Sequence, residues 1–192
     1  MKSLVADALF CGSRDTARAT SKVIASFTSP LTWLVAVQFV IAFTMPDIRP
    51  GMVPGTLIDL HLSFGVLIFS IVLLRLFWRI AHPVPVTMQH VPVWQAVLAR
   101  WSHRLFYVVL TVSPILGWAS ASARNWEIAL FGVVNVPALL PPKARIGYLT
   151  GDVHMALSWF LLAMIAIHVG AALYHRFILR DGVLQRMLPS SR

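Results

Sequence analysis

Along this chain the apolar residues neither alternate nor recur at the spacing of one helix face. They gather into four long runs, at about residues 27–45, 57–80, 101–119 and 153–178. Each run has close to the ~20 residues that a helix needs to cross a hydrocarbon core of about 30 Å. Lipid offers no partner to a bare backbone amide, so a spanning run of this kind must be helical. A strand reading would need the alternation of a closed barrel, and none is visible. The pattern predicts an all-α integral membrane four-helix bundle, up-down-up-down, in which residues 1–192 form one transmembrane domain.

The connections differ in kind. Residues 47–55 make a short, turn-rich loop, and residues 82–93 an extended one broken by Pro83, Pro85 and Pro92. The longest, residues 120–151, holds Trp126-Glu127-Ile128-Ala129-Leu130-Phe131 and then Pro137, Pro141 and Pro142. An apolar, proline-broken stretch of this sort predicts a short lid on the outer membrane face, between the third and fourth helices.

Composition agrees with the pattern. The chain is 58% hydrophobic and 12% charged, with a mean hydropathy of +0.76, whereas a soluble domain carries about 25% charged residues. The net charge of +9 would suggest nucleic acid if the basic residues formed a stripe. They sit instead at the ends of the apolar runs, so the partner is the lipid bilayer and no nucleic acid is expected. Of the 16 Lys and Arg, Arg49, Arg124, Lys143 and Arg145 fall on one side, and all the others on the side of the two termini. By the positive-inside rule both termini face the cytoplasm. Cys11 is the one cysteine and cannot form an internal disulfide. The first 22 residues mix charges with short apolar stretches, so no cleavable leader is expected.

Seven histidines remain to be placed. His82 and His90 lie in the loop between the second and third runs, and His175 stands beside Arg176 at a helix end, where interfacial roles suffice. His61, His154 and His168 fall within the membrane, where an ionisable group is costly and marks function. His154 and His168 are 14 residues apart, a spacing that returns to within about 40° of the starting direction and advances about 21 Å along the axis. Two levels of the same interior are thereby marked. The second and fourth helices begin alike, Asp59-Leu60-His61 and Asp152-Val153-His154, which brings His61 and His154 to equal depth. Two neutral imidazoles across an apolar gap suit a six-coordinate haem iron. A hydrogen-bonded histidine pair between helices would have the same spacing. Gly65 lies one turn from His61, and Gly170, Ala171 and Ala172 follow His168, leaving room for a macrocycle. Arg75 lies 14 residues beyond His61, near the level of His168. It reaches either a haem propionate or, by snorkelling, the lipid headgroups. All seven acids lie at helix ends or in loops, which counts against a proton-driven transporter.

Longer motifs now carry a resemblance. They are His61-Leu62-Ser63-Phe64-Gly65, Leu73-Leu74-Arg75-Leu76-Phe77-Trp78-Arg79, His103-Arg104-Leu105-Phe106-Tyr107 and Pro114-Ile115-Leu116-Gly117-Trp118. With them goes His168-Val169-Gly170-Ala171-Ala172-Leu173-Tyr174-His175-Arg176-Phe177-Ile178, continued by Arg180-Asp181-Gly182 and Arg186-Met187-Leu188-Pro189. From about residue 30 to 189 the chain resembles the bacterial cytochrome b561 family, which is related to the cytochrome subunits of hydrogenases and formate dehydrogenases. The resemblance implies a bacterial inner-membrane protein with haem b and an exchange of electrons with quinone, ubiquinone in one branch that oxidises superoxide. It implies an outer haem on His61 and His154 and an inner haem on His168 with a first-helix histidine. That partner is missing here, because the expected His-Trp pair reads Thr32-Trp33. His103, at a depth similar to that of His168, is one substitute; the alternatives are a single haem, a five-coordinate inner haem, or a ligand from a partner subunit, so either one haem or two is expected.

Two functions follow as expectations. One is a b-type cytochrome passing electrons between an outer-face donor (superoxide or a partner protein) and quinone, as an oxidoreductase or as an electron-transfer subunit. The other is a haem-depleted anchor or assembly subunit of a larger respiratory or photosynthetic membrane complex, which Thr32 favours. The charge asymmetry makes a prediction of its own. Reporter fusions at Arg192 and within residues 124–145 should label opposite faces of the membrane; both labels on one face would contradict the orientation.

Overall fold

The computed structural model describes residues 30–49, 51–82 and 92–179. Four helices dominate it. They are α1 (Pro30–Thr44), α2 (Thr56–Ala81), α3 (Val93–Ala123) and α4 (Arg145–Tyr174), the last followed by a π-helical turn, His175–Leu179. α2, α3 and α4 are each long and apolar enough to cross a membrane, with 26, 31 and 30 residues. α1 is described from Pro30 onward, where the described residues begin.

Contacts between helices fix the alternating directions. The Gln38 side chain donates to the His61 carbonyl at 2.9 Å, while Leu31 packs with Ile68 and Val72, so α1 and α2 run in opposite directions. Ser113 and Gly117 of α3 meet His154, and His103 meets His168, so α3 and α4 do as well. The Phe43 ring, 5.8 Å from that of Trp159, closes the circle between α1 and α4. Leu31, Ile68 and Val72, with Leu34, Val35, Ile71, Tyr107 and Leu110 around them, form the apolar centre. The outside is as greasy as the inside, with Phe77 and Ile167 each 73% exposed. Contiguous apolar surface on that scale is untenable in water and ordinary in lipid.

α3 starts at Val93, earlier than the apolar run at 101, and α4 starts at Arg145, earlier than the run at 153. The extra two turns of α3, behind Pro92 as N-cap, include Gln95 and Arg100; hydropathy passes over such a segment although nothing in it breaks a helix. At the start of α4, Gly147 and Gly151 suggest a loop on composition. In the fold they allow close approach instead. A Cβ at Gly147 would collide with Ala123, and one at Gly151 would come within 2.6 Å of Ser120 Oγ. The segment Ala119–Ala123, alternating Ala and Ser, is buried throughout, so small residues on both helices let the backbones touch.

Between α3 and α4, where the sequence predicts a short lid, the chain forms a hairpin. β1 (Ile128–Leu130) pairs antiparallel with β2 (Val134–Val136), Leu130 opposite Val134. Phe131 and Gly132 both have positive φ, 49° and 74°, the primed-turn geometry that glycine and few others adopt readily. Phe131 tolerates it because its amide donates to Ser63 Oγ at 3.0 Å and its ring stands 5.4 Å from that of Phe64. Trp118 Nε1 donates to the Pro137 carbonyl and Trp126 Nε1 to the Met52 carbonyl, both at 2.9 Å. These bonds strap the connection across the ends of α2 and α3.

The α3–α4 contact supplies a stability test. Gly147→Leu should overpack it and cost about 1–3 kcal/mol, seen as a lower thermal midpoint in detergent. Gly55→Ala, where an added Cβ meets nothing within 4 Å, should be near neutral. Equal midpoints for the two variants would contradict the close approach.

Candidate functional site

The first site lies inside the bundle, under the hairpin. His61 comes from the second turn of α2 and His154 from the third turn of α4, and their ring centroids are 6.1 Å apart, with the planes at 85°. Around them is a cavity of about 320 Å³, lined by Gln38 and Phe39 of α1, Gly65 of α2, Gly117 of α3, and Ile128 and Val136 of the hairpin. That volume is in the range of cofactor pockets, and its wall is almost wholly apolar.

Each imidazole is held differently. His154 Nδ1 donates to the Ser113 carbonyl at 2.8 Å, with Ser113 Oγ 3.0 Å away. A proton fixed on Nδ1 leaves Nε2 with its lone pair, which is how a protein prepares a histidine as a metal ligand. Gly117 gives this ring its space, since a Cβ there would lie 3.2 Å from His154 Cε1. His61 Nδ1 is buried with no partner, as is Gln38 Oε1.

The two rings, 6.1 Å apart, both line the same cavity and are the residues that would hold a shared metal there. A direct hydrogen bond between the rings is absent, because His154 Nδ1 is committed to Ser113 and His61 Nδ1 meets no acceptor. The donor set, two nitrogens in an apolar slot without carboxylates, suits a haem iron. Among the described residues no cluster of three or more His, Cys, Asp or Glu forms a conventional metal centre.

A second pair lies toward the opposite end. His103 of α3 and His168 of α4 have ring centroids 5.6 Å apart, with planes at 74°, and Phe106 stands edge-on to His168 at 5.4 Å. On α4 the two sites are 14 residues apart, about 21 Å. His103 is within electrostatic reach of His168, Arg79 and Arg75. The Arg75 guanidinium stacks 5.6 Å from the Tyr107 ring, while its Nε is buried and unpaired. Gly170 has open space on its Cβ side. Thr32 is exposed on α1.

The fold thus brings His61 to His154 and His103 to His168, with Arg75 beside the second pair. His82 is set apart, capping α2 through Nδ1 on the Trp78 carbonyl, 3.2 Å, and stacking on the Trp78 ring. His90 and Cys11 lie outside the described residues. Sequence reasoning missed Gln38 and Ser113, and it held Gly117 only as part of the motif 114–118. A lone glutamine inside the first apolar run and the Ser113-Pro114 step inside the third were the available signals, and both pass easily for incidental polarity.

With the geometry in place, comparison with known proteins becomes informative. The family model for prokaryotic cytochrome b561 matches residues 29–190. Cytochrome b561 homolog 2 of Escherichia coli (strain K12) is 31% identical over 133 residues, 69% of this chain and 71% of the relative. Cytochrome b561 homolog 1 of the same organism is 26% identical over 83% of this chain and 93% of the relative. A protein named probable superoxide oxidase CybB, from Yersinia pestis, is 26% identical over 83% and 92%. Matched across its whole helical bundle, the chain belongs to the prokaryotic cytochrome b561 family of membrane cytochromes, whose implied cofactor is a b-type haem.

Proposed function

We propose that this chain is a two-haem electron carrier of the bacterial inner membrane, taking electrons at the hairpin end and delivering them to quinone. The observation that carries the reading is the stacking of two imidazole pairs at two levels of one bundle, with centroids 6.1 and 5.6 Å apart. Bound haem b supplies a reversible one-electron couple, and its potential is tuned by axial ligands, burial and hydrogen bonding.

The chain's own residues do the rest. His61 and His154 hold the group under the hairpin. Ser113 keeps the proton of His154 on Nδ1 and raises the basicity of Nε2. Ser63, by tying down Ala129 and Phe131, keeps the hairpin closed over an apolar cavity and excludes water from it. His103 replaces the histidine that Thr32 does not provide and pairs with His168. Arg75, with its buried Nε unpaired, meets a propionate there, since an arginine at this depth needs an anion. The positive-inside rule sets the hairpin end outside and both termini in the cytoplasm. The donor at the outer face is superoxide, as the name of the Yersinia relative suggests, or a partner protein. A second reading, an anchor subunit that has lost one haem, is favoured by Thr32 alone.

Two sets of variants test the assignment. His61→Ala and His154→Ala should each abolish the same low-spin signal in reduced-minus-oxidised spectra, because loss of either ligand breaks six-coordination. If both keep the wild-type spectrum, the outer assignment fails. At the inner site, His103→Ala and His168→Ala should each leave one low-spin haem per chain in place of two. Thr32→His in the His103→Ala background should restore a second low-spin centre. Two low-spin haems that survive loss of His103 would point to a ligand from another chain.

A further inference from the structure

The cavity under the hairpin is lined by few polar groups, and among the described residues nearly all of them are engaged. Ser70 and Ser158 donate to carbonyls of their own helices at 2.9 and 2.8 Å. Trp118 Nε1 donates to the Pro137 carbonyl, and Ser113 meets His154 Nδ1 through both its oxygens. Apart from the two Nε2 atoms assigned to the iron, two atoms are left over. They are Gln38 Oε1 and His61 Nδ1, both buried and without a hydrogen-bond partner, on residues that line the same cavity. An orphaned polar atom inside a membrane bundle is costly, and here the two orphans are complementary.

Complementarity follows from where the protons are. Gln38 Nε2 donates to the His61 carbonyl at 2.9 Å, which fixes the amide, because turning it over would set oxygen against oxygen. Oε1 is therefore the free end, an acceptor only, on a side chain tied to the residue whose ring lacks a partner. An imidazole that ligates through Nε2 carries its proton on Nδ1 and is then a donor. Ligating histidines almost always give this second N–H to an oxygen that orients the ring and strengthens the ligand. His154 has such an oxygen in the Ser113 carbonyl. For His61 the acceptor left over in the same cavity is Gln38 Oε1.

We propose that Gln38 is the positioning residue of His61, its Oε1 accepting the Nδ1 proton while its Nε2 keeps the His61 carbonyl. Both contacts lie between protein groups and need no open surface. The inference rests on the assignment of His61 as an iron ligand and deepens it. It gives α1, which carries Thr32 in place of a histidine for the inner site, a part in the outer one. With both Nδ1 protons on neutral oxygens the two ligands donate more strongly. The oxidised iron is then favoured, and the outer haem passes its electron inward more readily.

The test is a redox titration of the whole chain in detergent, followed through the low-spin signal that His61→Ala abolishes. Gln38→Met nearly matches the side chain in length and lacks the N–H donor and the oxygen acceptor. It should raise the midpoint potential, shifting the reduced-to-oxidised ratio about tenfold, which is about 59 mV for one electron. Gln38→Glu loses the bond to the carbonyl yet keeps an oxygen for Nδ1, so its potential should stand at or below that of the wild type. Should Gln38→Met lose the outer signal altogether, Gln38→Glu should retain it. An unchanged potential in Gln38→Met overturns the inference. So does a rise of equal size in both variants, or loss of the outer signal in both, which would leave Gln38 as a tether between α1 and α2 and nothing more. A wild-type spectrum in His61→Ala would instead contradict the ligand assignment itself, and the inference with it.

Discussion

Two imidazoles facing one another across an apolar gap, with no hydrogen bond between them, are the constraint around which this bundle is arranged. In lipid such a pair has no water to fall back on, so its environment must either satisfy it or await a ligand. One ring is half satisfied, because the Ser113 carbonyl takes the Nδ1 proton of His154. What remains is Nε2 with its lone pair, on a ring that lines the cavity. The neighbours follow from that need. Gly117 stays small because anything larger would press on His154, and Gln38 ties α1 to the His61 turn of α2. The hairpin seals the top, at the cost of a left-handed Phe131.

The four-helix architecture was legible in the sequence because membrane-spanning helices announce themselves by length and apolarity. The matched Asp-x-His starts of α2 and α4 and the 14-residue spacing on α4 were enough to bring His61, His154 and His168 to two levels. What stayed illegible has a common cause. Gly147 and Gly151 are helix breakers by composition and packing residues in fact, since only the approach of α3 tells the two apart. The hairpin is too short to show alternation, and it forms because Ser63, on a distant helix, bonds two of its residues. Ser113 works through its carbonyl as much as its hydroxyl, and a carbonyl leaves no trace in sequence. Thr32 was visible as a departure from the family pattern, while the approach of His103 to His168 became measurable only once α3 and α4 were packed.

The two ends of the bundle are chemically opposite. The hairpin end gathers the described carboxylates and is capped by bonded aromatic and backbone groups. The other end gathers Arg75, Arg79, Arg100 and Arg104 around Tyr107 and His103, with buried hydroxyls left unpaired. A bilayer with a positive-inside bias explains the sign of this asymmetry. It does not explain why the arginines line a cavity instead of fanning into the headgroups. The described carboxylates all stand at the hairpin end, so among the described residues these arginines have no counter-charge beside them.

The central claim is that a chain lacking the first-helix histidine still builds two six-coordinate sites, the second by way of His103. Its most direct test is the haem-to-protein ratio of the purified wild-type chain, read together with low-temperature electron paramagnetic resonance of the oxidised form. The account predicts two haems per chain, both low-spin with bis-imidazole signatures. One haem per chain, or a second that is high-spin, would contradict it.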